Sequence, residues 1–246
     1  MPQRERVRCA ECPLRALPTF RELSPAEAAF MEEFKRGELI VDPGATILLE
    51  ESASPHVFTL LEGWAYRHKQ IADGRLQVLN FALPGDLLGL QLAIMNEMQH
   101  TVTALTRVRL CVFQRDKVWS VYRDHPSLGF AMTWVAAREE QLLDGHLLSV
   151  GQRNAIERAI YLTLHLYDRA KAVGYADRDI LPTPFSQTHF ANALGVTPVH
   201  LSRTLRKLRD RGLMRWGEGG IYLQDRVALE ALASYERPGE DRRPLI

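Results

Sequence analysis

The sequence predicts an α+β fold: an antiparallel β-barrel or sandwich, then a long helix, then two short helices and a hairpin. Three observations predict it. Residues 36–114 alternate short apolar runs with glycine and proline turns, as strands do in compact antiparallel domains. Residues 126–150 form one long helical stretch. Residues 185–223 carry the capping and turn residues of two short helices and a glycine-rich hairpin.

Composition limits the class of protein. The chain has 246 residues, enough for two ordinary domains, of which 46% are hydrophobic and 25% charged, and its net charge is only +1. No apolar run approaches the roughly 18 residues of a membrane span, and the N-terminus lacks the apolar core of a signal peptide. Three cysteines cannot all pair, and nothing points to secretion. We therefore expect a cytoplasmic protein without a membrane partner.

The first 115 residues are expected to divide into two parts. Residues 1–20 form a short N-terminal arm, and residues 21–115 form the β domain. Turn signals such as Asp42-Pro-Gly44 and Pro84-Gly-Asp86 separate apolar runs such as Val57-Phe-Thr-Leu-Leu61. This spacing predicts short antiparallel strands.

Residues 116–150 contain the predicted long helix, which starts near Pro126. Apolar residues recur along it at intervals of four, three and seven, with Glu139 at the skipped place. They are Leu128, Met132, Val135 and Leu142. The spacing is that of a coiled-coil seam and favours dimerisation through this helix. The alternative is a helix that simply covers the β domain.

Residues 151–235 are predicted to hold a winged helix-turn-helix. Ser186 and Thr197 are suited to cap two successive helices. Gly195 suits the turn between them, since it adopts left-handed backbone conformations easily. Pro198 stands at the first position of the second helix, where its missing N–H costs nothing.

The chain after these helices is expected to form a wing and a tail. Residues 215–223 read as a hairpin with a glycine-rich tip, which is the wing. Residues 236–246 combine charges with prolines and a glycine and are predicted to be disordered.

The second of the two helices has an apolar and a basic face. Leu201, Leu205 and Leu208 lie on one stripe and are expected to pack inward. Five basic residues of this segment face a single acidic one, Asp210. They are Arg203, Arg206, Lys207, Arg209 and Arg211. Such a helix fits the major groove of B-DNA, so double-stranded DNA is the predicted partner. The alternatives are a solvated surface helix, or a ligand-sensing or protein-interaction module without specific DNA readout.

These parts, in this order, resemble the Crp/Fnr family of bacterial transcription regulators over about residues 20–230. The most specific motifs are Leu61-Glu-Gly63, Phe81-Ala-Leu-Pro-Gly-Asp-Leu-Leu-Gly89 and the helix-turn-helix. The resemblance implies a double-stranded β-helix (a jelly-roll like that of cyclic-nucleotide-binding domains), a dimerisation helix and a C-terminal winged helix-turn-helix. It also implies a homodimer that binds a two-fold symmetric operator and recruits or blocks RNA polymerase.

The resemblance places the DNA contacts on the two short helices. Val199, Ser202 and Arg203 match base-reading positions, and Ser202-Arg203 keeps the pattern of the oxygen-sensing branch. Ser186, Gln187 and Thr188 match positions that touch the phosphate backbone. Three further residues on the exposed face complete the predicted interface: His200, Arg206 and Lys207. Many members carry a glutamate where Val199 stands. Because valine cannot accept a hydrogen bond from a base, we expect a different operator.

Cyclic AMP is not an expected ligand. Family members that bind it use a glutamate for the ribose, and here Leu90 stands in that place. Their arginine–serine pair for the phosphate is replaced by His100-Thr101. A buried phosphate without a cationic partner is strongly disfavoured.

The three cysteines do not decide whether the protein binds a cofactor. Cys9, Cys12 and Cys111 match part of the iron–sulfur site of the oxygen-sensing branch, but one family cysteine is missing. Arg107 and Arg109 share a strand face with Cys111 and are expected to lower its pKa. A cluster or other metal, thiol redox sensing and no sensory role all remain open. No phosphate loop, nucleophile elbow or zinc-binding histidine pair occurs, so catalysis is not expected.

Overall fold

The computed structural model of the chain describes residues 7–239 and 242–246. The strands are β1 (Lys35–Val41), β2 (Thr46–Leu48), β3 (His56–Glu62), β4 (Ala65–Gln70), β5 (Leu76–Ala82), β6 (Leu87–Leu88), β7 (Thr101–Ala104), β8 (Val108–Gln114), β9 (Ile180–Leu181), β10 (Met214–Gly217) and β11 (Gly220–Leu223). The helices are α1 (Pro25–Phe34), α2 (Leu90–Met95), α3 (Val118–Asp124), α4 (Pro126–Gln152), α5 (Ala155–Ala172), α6 (Gln187–Leu194), α7 (Pro198–Asp210) and α8 (Arg226–Ala233). Short 3-10 helices occur at Cys9–Glu11, Pro13–Ala16 and Arg115–Lys117.

The predicted β domain is confirmed as two four-stranded sheets. Their strand orders are β1-β8-β3-β6 and β2-β7-β4-β5. In the first sheet β8 pairs antiparallel with β1 on one side and with β3 on the other. Apolar side chains from both sheets form the core between them, including Leu60, Val102 and Leu110, each 0% exposed. This burial of apolar surface is the main stabilising contribution to the domain.

One turn of the β domain requires glycine. Gly85 has φ +90°, and a Cβ atom there would lie 2.3 Å from the ring of Phe20. The next residue, Asp86, is buried and accepts a hydrogen bond from the backbone N–H of Leu83 at 2.9 Å. The turn therefore brings a buried carboxylate against the segment around Phe20.

The chain forms two compact units. Among the described residues, the first comprises 7–67, 82–140 and 242–246, and the second comprises 68–81 and 141–239. The boundary thus crosses α4 and the β4–β5 hairpin, whereas sequence patterns suggested divisions near residues 115 and 150. Periodicity marks where a helix ends and carries no information about which neighbours each half contacts.

The apolar seam of α4 faces its own chain. Leu128 and Met132 are each 0% exposed. Glu139, at the skipped place, forms an ion pair with Arg67 of β4. The prediction that Leu128 and Met132 contact a second copy is therefore wrong, whereas Val135 and Leu142 are partly exposed and dimerisation through their half of the helix stays a prediction. Other apolar side chains of α4 are exposed: Phe130, Leu143, Leu147 and Leu148.

Residues 243–246 of the C-terminal tail contradict the prediction of disorder. Residues 244–246 are buried, with Leu245 3% and Ile246 5% exposed. Arg243 forms a parallel bridge with Phe20, next to the N-terminal arm. Local composition suggested disorder, but long-range contacts decide the conformation of these residues.

The second unit packs around α5 and a group of aromatic rings. Asn154 caps α5 and forms a capping box with Glu157, while the helix buries Ala159, Leu162 and Leu166 on one face. Phe185 lies 4.6 Å from Phe81, measured between ring centroids. Phe190 and Trp216 complete the group. These rings fix the helix-turn-helix and the wing to one another. No helix within the described ranges combines the length and the apolar character needed to cross a bilayer.

Candidate nucleic-acid interface and cysteine pocket

The turn between α6 and α7 has the predicted local chemistry. The hydroxyl of Ser186 accepts a hydrogen bond from the N–H of His189 at 3.3 Å and so caps α6. Gly195 ends the helix with φ +66°. The hydroxyl of Thr197 accepts from the N–H of His200 at 3.2 Å and caps α7, whose first residue is Pro198. The entry angle of α7 is therefore set by its own sequence.

The apolar stripe of α7 holds the helix against its unit. Leu201 and Leu208 are each 0% exposed, and Leu205 is 8% exposed. Burying three leucine side chains contributes several kcal/mol, about 1.5–3 for each. The predicted inward face is confirmed, and the orientation of the outward face follows from it.

The predicted DNA-contacting side chains lie together on the outward face. Val199 is 64% exposed. Its eight companions are exposed too: Ser186, Gln187, Thr188, His200, Ser202, Arg203, Arg206 and Lys207. They come from the start of α6 and the exposed side of α7. These exposed polar and basic side chains lie on two helices that pack against each other.

The basic groups of this face are mostly uncommitted. Arg209 pairs with Asp210 at 2.8 Å, near the end of the helix. Within the part of the chain that the structure describes, no carboxylate pairs with Arg203, Arg206 or Lys207. Their charges are available for phosphates or base edges.

The wing adds a residue that the sequence reasoning missed. β10 packs against α7 and pairs with β11, and Arg215 on β10 is exposed. Its guanidinium lies 4.2 Å from the centroid of the Tyr222 ring, whose hydroxyl donates to the carbonyl of Glu218 at 2.6 Å. The sequence did contain a signal for Arg215, since it is a basic residue in the first strand of the predicted wing.

The three cysteines meet in one cavity of the first unit. Cys9 and Cys111 are buried and Cys12 is partly exposed. The other lining residues are Val7, Arg15, Met31, Lys35, Thr59, Leu61, Phe113, Leu245 and Ile246. We call this the cysteine pocket. The family resemblance suggested that the three thiols lie close together. Nothing in the sequence indicated that Leu245 and Ile246 of the tail also line their pocket.

Burial keeps two of the thiols protonated. Desolvation, reinforced by the nearby Glu32 carboxylate, raises the pKa of Cys9 to about 11. Desolvation also raises the pKa of Cys111 to about 12. The expected lowering by neighbouring arginines is wrong, because desolvation by burial is the largest influence on the pKa of Cys111 and raises it. Arg109 itself donates to the Glu38 carboxylate at 2.6 Å. Both faces of β8 are buried, which removes the distinction between an apolar and an exposed side.

Arg15 is the unusual cation of the pocket. Burial lowers the pKa of Arg15, while the three thiols raise it. One guanidinium nitrogen donates to the carbonyl of Leu245 at 3.4 Å, and Nε is buried without a hydrogen-bond partner. Among the described residues, Arg15 has no carboxylate partner. Lys35, in contrast, pairs with Glu38 at 2.6 Å.

Comparisons with known proteins agree with this arrangement. A family profile described as a cyclic nucleotide-binding domain matches residues 33–125, and one described as a Crp-like helix-turn-helix domain matches residues 157–232. The chain is 31% identical to the nitrogen fixation regulation protein FixK of Bradyrhizobium diazoefficiens over 226 residues, which cover 92% of this chain and 94% of FixK. The chain belongs to the Crp/Fnr family.

Two further comparisons extend the match. The transcriptional activatory protein AadR of Rhodopseudomonas palustris is 30% identical over 233 residues, 94% of this chain and 95% of AadR. The structure of FixK2 from Bradyrhizobium japonicum has a TM-score of 0.73 and 23% identity, covering 81% of this chain and 98% of that one. The predicted fold class is confirmed, as is the prediction of a Crp/Fnr-type DNA-binding transcription regulator.

The cysteines of this Crp/Fnr protein do not fit a four-thiolate iron–sulfur cluster. Such clusters are usually held by four cysteines, and the chain has three. Burial also favours the neutral thiols of Cys9 and Cys111 over ligating thiolates. Within residues 7–239 and 242–246, no group of three or more His, Cys, Asp and Glu side chains is arranged to hold a metal ion. We assign no cluster to the pocket.

The positions that would hold a cyclic nucleotide have other roles here. Leu90 is the first residue of α2. The hydroxyl of Thr101 accepts a hydrogen bond from the N–H of Glu50 at 3.1 Å. Arg67, a buried cation of the β domain outside those positions, donates to the Glu139 carboxylate and to the carbonyl of Leu87. The sequence-based expectation that cyclic AMP does not bind stays a prediction.

Proposed function

We propose that this Crp/Fnr regulator binds DNA as a homodimer, with α7 of each subunit reading one half of a two-fold symmetric operator. The observation that carries the proposal is the exposed polar face of α7, held outward by three buried leucines. Two recognition helices of a dimer reach half-sites about one DNA turn, roughly 34 Å, apart.

Individual residues are assigned to base and phosphate contacts. Arg203 donates bidentately to a guanine, the commonest specific contact in the major groove. Val199 offers apolar contact, for example to a thymine methyl group. Ser186, Gln187 and Thr188 contact the phosphate backbone, where neutral donors fix the register without reading sequence.

The second copy is proposed to bind along the outward side of α4. Leu143 and Leu147 lie four residues apart and are 48% and 73% exposed. Phe130 is 72% exposed on the same helix. Large exposed apolar side chains on a long helix mark an interaction surface. A second copy of the chain is the partner proposed for this surface, because reading a two-fold symmetric operator requires two subunits.

The proposed role in the cell follows from the target. DNA binding places the protein in the cytoplasm, where it would contact RNA polymerase. The similarity to AadR, a transcriptional activatory protein, supports activation over repression. The Ser202-Arg203 pair supports assignment to the oxygen-sensing branch. A redox-linked signal at the β domain is supported by the convergence of three thiols on one cavity.

Operator selection from random duplexes tests the proposal. We expect enrichment of one two-fold symmetric motif that differs from the common family half-site at the base pair facing Val199. Retention of duplexes without sequence preference over competitor DNA would contradict it and favour a protein-interaction module. Parallel selection under air and under reductant measures whether the thiol state alters DNA binding.

A further inference from the structure

The cysteine pocket has one wall built from the far end of the chain. Leu245 and Ile246 line the same cavity as Cys9 and Cys111, and both apolar residues are more than nine-tenths buried. The backbone carbonyl of Leu245 accepts from Arg15, and that of Ile246 accepts from the hydroxyl of Thr59. The segment therefore occupies the β domain as a peptide ligand occupies a receptor.

A single arginine anchors this segment. The guanidinium of Arg243 donates to the buried Asp86 carboxylate at 2.9 Å and to the carbonyl of Pro84 at 2.8 Å. It also lies 4.6 Å from the centroid of the Phe20 ring. A carboxylate that is 4% exposed needs a charged partner, so this pair is specific to the position of Arg243.

Backbone hydrogen bonds hold the segment in register. The N–H of Arg243 donates to the carbonyl of Thr19 at 2.8 Å, and its carbonyl accepts from the N–H of Arg21 at 2.9 Å. The segment thus extends the N-terminal arm in the manner of an added strand. The adjacent Arg242 makes only a 3.7 Å ion pair with Glu22, and both side chains are more than half exposed.

We propose that residues 243–246 are a built-in peptide ligand of the β domain, which closes the cysteine pocket and protects Cys9 and Cys111 from thiol reagents until it is released. The site recognises a cation, then a proline, then two apolar side chains. The segment and a group attached to either thiol compete for the same space. By thermodynamic linkage, a group attached to either thiol weakens the binding of the segment, and the bound segment disfavours attachment of the group.

The pKa of each thiol supports this assignment. Burial is the largest cause of the raised pKa of Cys9 and of Cys111. The segment contributes to that burial, so its release lowers the pKa of each thiol and raises the fraction present as the reactive thiolate. Cys12 is partly exposed and serves as an internal reference.

Residue-resolved alkylation tests the proposal. The reduced full-length protein and two variants, Arg243→Ala and a deletion of residues 243–246, are treated with iodoacetamide. Alkylation of each cysteine is followed by peptide mass spectrometry. In this step a sulfur–carbon bond forms, iodide leaves and the thiol proton passes to the buffer. We expect the rates at Cys9 and Cys111 to rise at least about tenfold in both variants, with that at Cys12 changing less than about twofold.

The matched control is Arg242→Ala, which removes the same charge from the neighbouring residue and is expected to leave all three rates unchanged. A peptide of residues 242–246, added in trans to the deletion variant, should restore protection, whereas a scrambled peptide should not. Equal rates at Cys9 and Cys111 in the wild type and both variants would overturn the proposal.

A reciprocal measurement needs no variant and covers the case of a variant that fails to fold. Wild-type protein alkylated at Cys9 or Cys111 should lose its C-terminal residues to a carboxypeptidase faster than the unmodified protein. Equal digestion rates would also overturn the proposal. Protection of the thiols by the segment does not depend on operator binding. A deletion variant that loses protection and still binds its operator therefore separates the two proposals.

Discussion

Arg203 is the side chain on which sequence-specific reading by α7 depends most. It is exposed beside Ser202, in the half of the helix nearest its N-terminus, and lacks a carboxylate partner among the described residues. Arg203→Ala should cost about 1–3 kcal/mol of operator affinity and relax specificity at one base pair. Fluorescence anisotropy at fixed salt, with the selected operator and its single-base variants, measures both effects.

Arg209→Ala is the matched control, since it removes the same charge from a residue already paired with Asp210. It should weaken binding to all sequences alike. Equal loss of specificity in the two variants would show that Arg203 contributes only charge.

Val199 makes a second prediction at the scale of one residue. Because its side chain is 64% exposed, a longer one fits there without disturbing the core. Val199→Glu supplies a hydrogen-bond acceptor and should shift the selected half-site at one base pair, with stability changing by less than about 0.5 kcal/mol. An unchanged selected motif would remove Val199 from the interface.

At the scale of elements, the turn between α6 and α7 depends on one left-handed residue. Gly195 has φ +66°, and a Cβ there would meet its nearest atoms only at 3.9 Å. The cost of Gly195→Ala is therefore conformational rather than steric, and we expect about 1 kcal/mol of lost stability in urea unfolding. Gly151→Ala, in the last turns of α4 with nothing within 4 Å, should be neutral or stabilising. Equal effects of the two substitutions would contradict this account.

The Glu27 carboxylate, in the first turn of α1, should make the stability of the protein depend on pH. Hydrogen bonds from Arg21, Ser24 and Ser127 lower the pKa of Glu27 to about 2, with that from Arg21 contributing most. Because the pKa is lowered on folding, the contribution is complete above the unfolded pKa of about 4.5 and is lost as pH falls toward 2. Glu27→Gln should cost about 2 kcal/mol at pH 7, and this difference should vanish near pH 2.

Urea unfolding between pH 2 and 7 checks this prediction. Glu33→Gln, at an exposed position of the same helix, is the control. A difference between wild type and Glu27→Gln that stays constant with pH would show that the lost interaction is not that of the carboxylate.

At the scale of the whole molecule, operator affinity depends on pairing two recognition helices. Leu147→Glu places a charge on the exposed apolar side of α4 and should convert the dimer to a monomer. Loss of the second half-site contact should then weaken operator binding at least about 100-fold, since bivalent attachment contributes that much. Sedimentation equilibrium and anisotropy measure the two effects on one sample. Lys171→Glu, exposed on α5, is the control, and a monomeric variant with full affinity would contradict the proposed dimer.

Local patterns predicted the DNA-binding half of the molecule well. Capping by Ser186 and Thr197, the turn at Gly195 and the inward stripe of α7 all depend on residues within a few positions of one another. The same reasoning misassigned the first half of the seam of α4. Its spacing specifies an apolar face, but Leu128 and Met132 cover their own domain instead of meeting a second copy.

The sequence by itself determined the order of elements and the outward basic face of α7, because periodicity, capping and composition act over short distances. Only the tertiary structure decided that Arg243 anchors to Asp86 and that Leu245 and Ile246 wall the cysteine pocket. It also decided that burial raises the pKa of Cys111 despite nearby arginines. Those outcomes depend on desolvation and on contacts between residues more than a hundred positions apart, which no local pattern encodes.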